Sequence, residues 1–157
     1  MTRHTRLFFA LSLVAGTLAF GQSLESRWTP AIEKSVPNAV EWRHQIHQNP
    51  ELSNREFKTA ALVASRLKSF GLDVREKIAH TGVVGVLRGA KPGPVVAIRA
   101  DMDALPVKEE TPFAFRSNVR TNFNGQEVDV AHACGHDVHV AIALGMAQAL
   151  STIKDQL

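Results

Sequence analysis

Pro94-Val95-Val96-Ala97-Ile98-Arg99-Ala100-Asp101-Met102-Asp103-Ala104-Leu105-Pro106 is the stretch that decides the fold. Its first five residues are apolar without alternation, the pattern of a strand buried on both faces. Asp101 and Asp103 come just past the carboxyl end of that run. In open α/β sheets ligands collect at that edge. The two carboxylates, two residues apart, share a face of a continuing strand or converge in a loop. Pro106 fixes the turn behind them.

Working outward, Leu72–Ile78 alternates roughly, Val83–Leu87 is a short apolar run, and Val128–Ala131 is a further strand candidate. Residues 107–127 are polar and mixed, as in a loop or lid. The spacing predicts three helices. The first is expected to start at Thr29-Pro30, to be interrupted or restarted at Pro37, and to end at Asn49-Pro50. Ala39, Trp42 and Ile46 form its apolar repeat. The second is expected to start at a capping box of Ser53 and Glu56, with Leu52 and Phe57 as a hydrophobic staple. Phe57, Ala60, Ala64 and Leu67 form its apolar face, and Gly71 stops it. The third begins near His136, with Val140, Ala143, Leu144, Ala147 and Leu150 at helical spacing. The expected class is α/β, a mostly parallel or mixed sheet flanked by helices. The glycines at 82, 85, 89 and 93 do not match a dinucleotide or phosphate loop.

His132-Ala133-Cys134-Gly135-His136-Asp137-Val138-His139 carries the chemistry. It puts three histidines, a carboxylate and the sole cysteine into eight positions at a strand-to-helix junction. Cys134 and His136, across a glycine, can both turn toward one divalent cation, and they are the expected metal ligands. Asp101 or Asp103 could fix the tautomer of His136. His139 lies one turn along and could contact substrate or support the metal shell; a partly exposed helical histidine is an equal alternative, and His132 is as open. Asp137 falls in the first helical turn, where a carboxylate suits the helix dipole, so its role is structural first. His44, His47 and Glu51 read as surface or structural residues. Phe113, Phe115 and Phe123 read as local packing. Cys134 as a nucleophile with a histidine base is an alternative, but it leaves the two aspartates without work. Another is an exported metal-binding protein without catalysis.

The chain has 157 residues and a net charge of +3. Arg3 and Arg6 sit in a first stretch without acids; without them 16 basic residues face 15 acidic ones. No basic stripe marks a nucleic-acid surface. Residues 1–21 read as a secretory signal: a positive start, an apolar run from Leu7 to Phe20, and Ala19 and Gly21 at the −3 and −1 positions. That run is too short to span a bilayer. The protein is therefore expected to be exported, periplasmic or secreted, with no stable membrane insertion after cleavage. A single cysteine allows no internal disulfide, and a thiol in an oxidising compartment suits metal ligation.

These motifs resemble a known family. Arg43-His44-Gln45-Ile46-His47-Gln48-Asn49-Pro50-Glu51-Leu52 with Glu56, Thr81–Leu87, Arg99–Pro106 and His132–His139 together resemble the metal-dependent amidohydrolases of the aminoacylase/carboxypeptidase type. The resemblance points to the subgroup of hippurate hydrolases and N-acyl- and indole-acetyl-amino-acid hydrolases. It implies a zinc-exopeptidase-like catalytic domain, here residues 37–157 after a linker and first helix over 22–36. It implies two divalent ions (Zn, Mn, Co or Ni), Cys134 and His136 among their ligands, and Asp103 in a supporting catalytic role, with Asp101 and His139 on the substrate side or behind the ligands. The general-base glutamate, the first of an adjacent pair, and the remaining ligands are expected beyond Leu157, as is the lid or dimerisation domain. The substrate class implied is a small N-acyl amino acid, and full-length homologues are expected to be homo-oligomers. These residues alone are expected to be inactive or at best a metal-binding remnant.

Overall fold

The computed structural model describes residues 24–157; the expected signal segment lies outside them. The element order is α1 (Leu24–Gln48), α2 (Phe57–Ser69), β1 (Asp73–Ile78), β2 (Gly82–Val86), β3 (Arg120–Phe123), β4 (Gln126–Asp129) and α3 (His136–Thr152), then a single 3-10 turn at Lys154–Gln156. Among the described residues no helix is long and apolar enough to cross a membrane.

The core forms where the apolar faces of the three helices meet. Trp42 and Ile46 of α1, Val63 and Leu67 of α2, and Val140 and Leu144 of α3 are buried together. Leu72, Val74 and Val83 of the hairpin region close the cluster from below. Burying each such side chain is worth about 1.5–3 kcal/mol. On α3, Gly145 lets α1 approach: a Cβ there would lie 3.2 Å from the Cβ of Ala39. A second small cluster, Leu52, Ala104 and Val130, lies under Val119 and Phe123.

Several expectations change. α1 starts at Leu24, inside the stretch read as linker, and runs through Pro30 and Pro37. Each proline removes one helical donor, but the packing of the later turns on α3 holds the helix together across Pro37. The capping box does not form. The carboxylate of Glu56 turns away and accepts from the Asn54 N–H and the Thr81 hydroxyl, tying the helix start to the hairpin. Glu51 caps instead. Its carboxylate accepts from Lys58 N–H at 3.1 Å, Thr59 N–H at 2.8 Å and the Thr59 hydroxyl at 2.9 Å. The staple fails too, since Phe57 is exposed and Leu52 joins the second cluster. Gly71 ends α2 as expected. At φ +80° it permits the Gly71 N–H to bond Lys68 and the Leu72 N–H to bond Leu67.

β1 and β2 form an antiparallel hairpin, and so do β3 and β4. The expected strand at Pro94–Ile98 is not one: Val95 is 99% exposed and Val96 79%. A ladder needs a hydrogen-bonding neighbour, and no described segment pairs with this run. The class is α/β, but its sheets are two small hairpins rather than one parallel layer. The strand read at Val128–Ala131 appears earlier, as β4, and Ala131 instead forms an isolated bridge to Leu105.

The cap has a measurable consequence. Glu51→Ala removes three acceptor contacts from the start of α2 and is expected to cost about 1–2 kcal/mol of stability, read as a lowered midpoint in urea. Ser53→Ala is expected to leave the midpoint unchanged.

Candidate metal centre

Two backbone bridges assemble this site. The Ala104 N–H bonds the Glu51 carbonyl at 2.7 Å, within a parallel bridge between Leu52 and Ala104. Leu105 and Ala131 exchange both backbone bonds at 3.0 Å in an antiparallel bridge. Residues 104 and 105 are thus clamped between the end of α1 and the segment leading to α3. That clamp carries Asp103 to the start of α3. Gly135, at φ +86°, turns the chain so that the helix begins at His136.

The Nδ1 of His136 lies 2.9 Å from the backbone carbonyl of Asp103 and 3.0 Å from its Oδ1. A carbonyl oxygen only accepts, so Nδ1 donates. In the neutral ring the lone pair then sits on Nε2, the state a metal needs. The expectation that an aspartate fixes this tautomer is met by Asp103. His139, one turn on, places its ring 5.3 Å from that of His136. Asp101, His136 and His139 bring ligand atoms within 4.8 Å of one another. Arg99 donates to Asp101 at 2.9 Å and holds its carboxyl below the ordinary range. Ile98, Arg99, Asp101, His139, Ile142 and Ala143 line an open cleft of about 270 Å³ beside this group. Cys134 is exposed and stands outside the grouped ligand atoms.

The other side of the helix start is buried. The Asp137 carboxylate, 1% exposed, accepts from Arg43 Nε at 2.9 Å and from His47 Nδ1 at 2.8 Å. The His47 Nε2 meets Glu109 Oε1 at 2.9 Å. Both ring nitrogens therefore face carboxylates, an arrangement that a doubly protonated ring satisfies. Burial pushes the Glu109 carboxyl up, but hydrogen bonds from His47, Thr111 and the Ser117 N–H outweigh it and bring it from 4.5 to about 2. For Asp137 burial likewise opposes ionisation, and the bonds from His47 and Arg43 win, so its pKa is lowered. Phe115 covers this network: His44 stacks on it at 3.9 Å, and the Arg43 guanidinium lies 5.1 Å from its centre.

His47 is thus structural, as expected, but not at the surface. Glu109 was not singled out from the sequence; its partner His47 lies 62 residues away, and no local spacing signals the pair. Asp137 is structural, as expected. Phe113 and Phe115 stack locally, and Phe123 packs on the second cluster. His132 is buried, and neither ring nitrogen has a hydrogen-bond partner. Burial pushes its imidazole down to about 4.

The sequence model of Peptidase family M20/M25/M40 matches residues 97–157, which hold both aspartates and the whole cysteine–histidine cluster. Residues 97–157 belong to peptidase family M20/M25/M40. Thermostable carboxypeptidase 2 of Saccharolobus solfataricus is 49% identical over 129 residues, covering 79% of this chain and 31% of that protein. N-acyl-L-amino acid amidohydrolase of Geobacillus stearothermophilus is 42% identical over 126 residues, covering 80% of this chain and 32% of that protein. A Bacillus subtilis structure described as a dinuclear metal binding peptidase from M20 family superposes with a TM-score of 0.69 at 33% identity, over 80% of this chain and 33% of that one. The chain spans about a third of the length of these M20 relatives.

The buried network makes two predictions. Asp137→Ala strands Arg43 and His47 and is expected to cost about 3–5 kcal/mol, measured by denaturant unfolding. Glu109 has a lower pKa folded than unfolded, so its contribution is full above about pH 4.5 and is lost as pH falls toward about 2. Glu109→Gln is expected to flatten the stability–pH curve in that window.

Proposed function

We propose that this chain is part of an exported enzyme that hydrolyses the amide bond of small N-acyl amino acids with two divalent cations. The observation that carries the reading is His136, whose Nδ1 is committed to Asp103 while its ring stands among further donors beside a cleft. Imidazole and carboxylate donors suit zinc, manganese, cobalt or nickel, so the residues present fit such an ion. Cys134 and His136 are the ligands proposed for the whole protein, and the Cys134 thiol is exposed and outside any disulfide. When bound, the cations supply Lewis-acid polarisation of the amide carbonyl and an activated water. Within this chain Asp103 orients His136, and Asp101 and His139 line the approach of the substrate. The amidohydrolase and carboxypeptidase relatives support the substrate class, since both names describe cleavage next to an amino acid.

The resemblance implies a general-base glutamate after His139, and residues 140–157 hold none. The 157-residue chain alone is therefore proposed to be inactive. Residues 1–21 are proposed as the export signal. The whole protein is proposed to be homo-oligomeric, with neither nucleic acid nor a membrane as partner.

The test compares a longer protein that contains these residues with the 157-residue chain on N-acetyl and N-benzoyl amino acids. The longer protein is expected to release the free amino acid and to lose activity with a chelator. The short chain is expected to release none. Chelator-insensitive hydrolysis, or sustained turnover by the short chain, would contradict the reading.

A further inference from the structure

A second cavity lies between α2 and the turn that joins β1 to β2. Its volume is about 410 Å³, and Phe57, Ala60 and Ala61 line it from the helix, with Lys77, His80 and Val83 from the hairpin. It shares no lining residue with the cleft beside Asp101 and His139. We propose that this cavity binds a small aromatic carboxylate, with Phe57 and His80 against its ring and the Lys77 ammonium on its carboxylate. The inference goes beyond the amide-hydrolysis reading and does not rest on it.

The helix supplies an apolar floor and an aromatic wall. Phe57, Ala60 and Ala61 stand at i, i+3 and i+4 and so share one face of α2. The alanines keep that face low, and Phe57 stands beside them, 58% exposed. The His80 ring meets Phe57 edge to face, with centroids 5.4 Å apart at 82°. Edge-to-face and offset contacts are those a further aromatic ring would add. Two bonds hold the turn in this place. The His80 Nε2 donates to the Asn54 carbonyl at 3.1 Å, and the Thr81 hydroxyl donates to Glu56 at 2.7 Å. The wall is therefore formed before a ligand arrives, which lowers the cost of binding.

The hairpin bends to bring a cation to that wall. In a regular strand the side chains of Glu76 and Lys77 would point to opposite faces, yet both line the cavity. The register of β1 against β2 slips between Arg75 and Ile78, and Lys77 sits at φ +59°. A bulge of this kind re-aims a side chain. Ala79 at φ +46° and His80 at φ +96° extend the left-handed stretch, so three of four successive residues, none of them glycine, carry strained backbone. Such strain clusters at ligand clamps. The charges separate as well. Glu76 is paired with Lys68, whereas Lys77 meets no carboxylate among the described residues. The start of α2 is not the anion site, because Glu51 already takes the Lys58 and Thr59 N–H groups. A mainly apolar cavity with one unpaired cation suits a planar apolar anion.

Titration of the isotope-labelled 157-residue chain with benzoate, at constant ionic strength and followed by amide NMR shifts, tests this. Saturable shifts are expected at Phe57, Ala61, Lys77, His80 and Thr81, and none at Asp101 or His139. Acetate has the charge without the ring, and benzamide has the ring without the charge. Each is expected to bind about fivefold more weakly than benzoate. Lys77→Gly removes the ammonium and suits the positive φ, so the fold is kept while affinity for benzoate falls about fivefold. Lys77→Arg is expected to keep the affinity of the unsubstituted chain. Ala61→Leu fills the floor from an exposed helix position and is expected to abolish the shifts. No saturable shift at these amides, shifts confined to the cleft at His139, acetate binding as tightly as benzoate, or undiminished affinity in Lys77→Gly or Ala61→Leu would each overturn the assignment.

Discussion

The Asp137 carboxylate, sealed between Arg43 and His47, is the contact on which the arrangement depends. It lies in the first turn of α3 and reaches two residues near the end of α1, 90 and 94 positions earlier in the chain. A carboxylate this deep survives only with charged donors on it. Its position therefore fixes how α1 crosses α3, and with it where the helix start points. His47 passes the constraint on to Glu109, whose carboxylate also holds the Thr111 hydroxyl and the Ser117 N–H. One buried network thus orders two helices and the loop that follows the aspartate motif.

The exposed side of the same helix turn depends on that order. Asp137 and His136 are adjacent, so fixing the one aims the other. The bridges at Ala104 and Leu105 bring Asp103 to the Nδ1 of His136, and Arg99 steadies Asp101 nearby. Buried charge holds the scaffold on one side, and solvent-reachable donors gather on the other. A metal site needs both: rigidity behind the ligands and access in front of them.

Features written in short-range chemistry were legible in the sequence. The start of α3 at His136, the strands β1 and β2 and the stop at Gly71 each follow from a few neighbouring residues, though the antiparallel pairing of the two strands was not read. The cysteine–histidine cluster and the paired aspartates also announced a site, and the structure brings part of each together. What failed depended on partners far along the chain. Ser53 and Glu56 have the spacing of a capping box, but Glu51 and Thr81 offer better bonds. Pro94–Ile98 has the composition of a buried strand, but a strand exists only with a neighbour. Cys134 sits two residues from His136 in sequence but stands outside the grouped ligand atoms, whereas the His139 ring lies 5.3 Å from that of His136.

The central claim is that Asp103 holds His136 through Nδ1, which leaves Nε2 as the nitrogen turned to a metal. Nitrogen-15 NMR of the metal-free chain at neutral pH reads this directly from the two imidazole nitrogens of His136. The account predicts the tautomer with the proton on Nδ1 and the lone pair on Nε2. A His136 ring protonated on Nε2 alone, with Nδ1 bare, would contradict it.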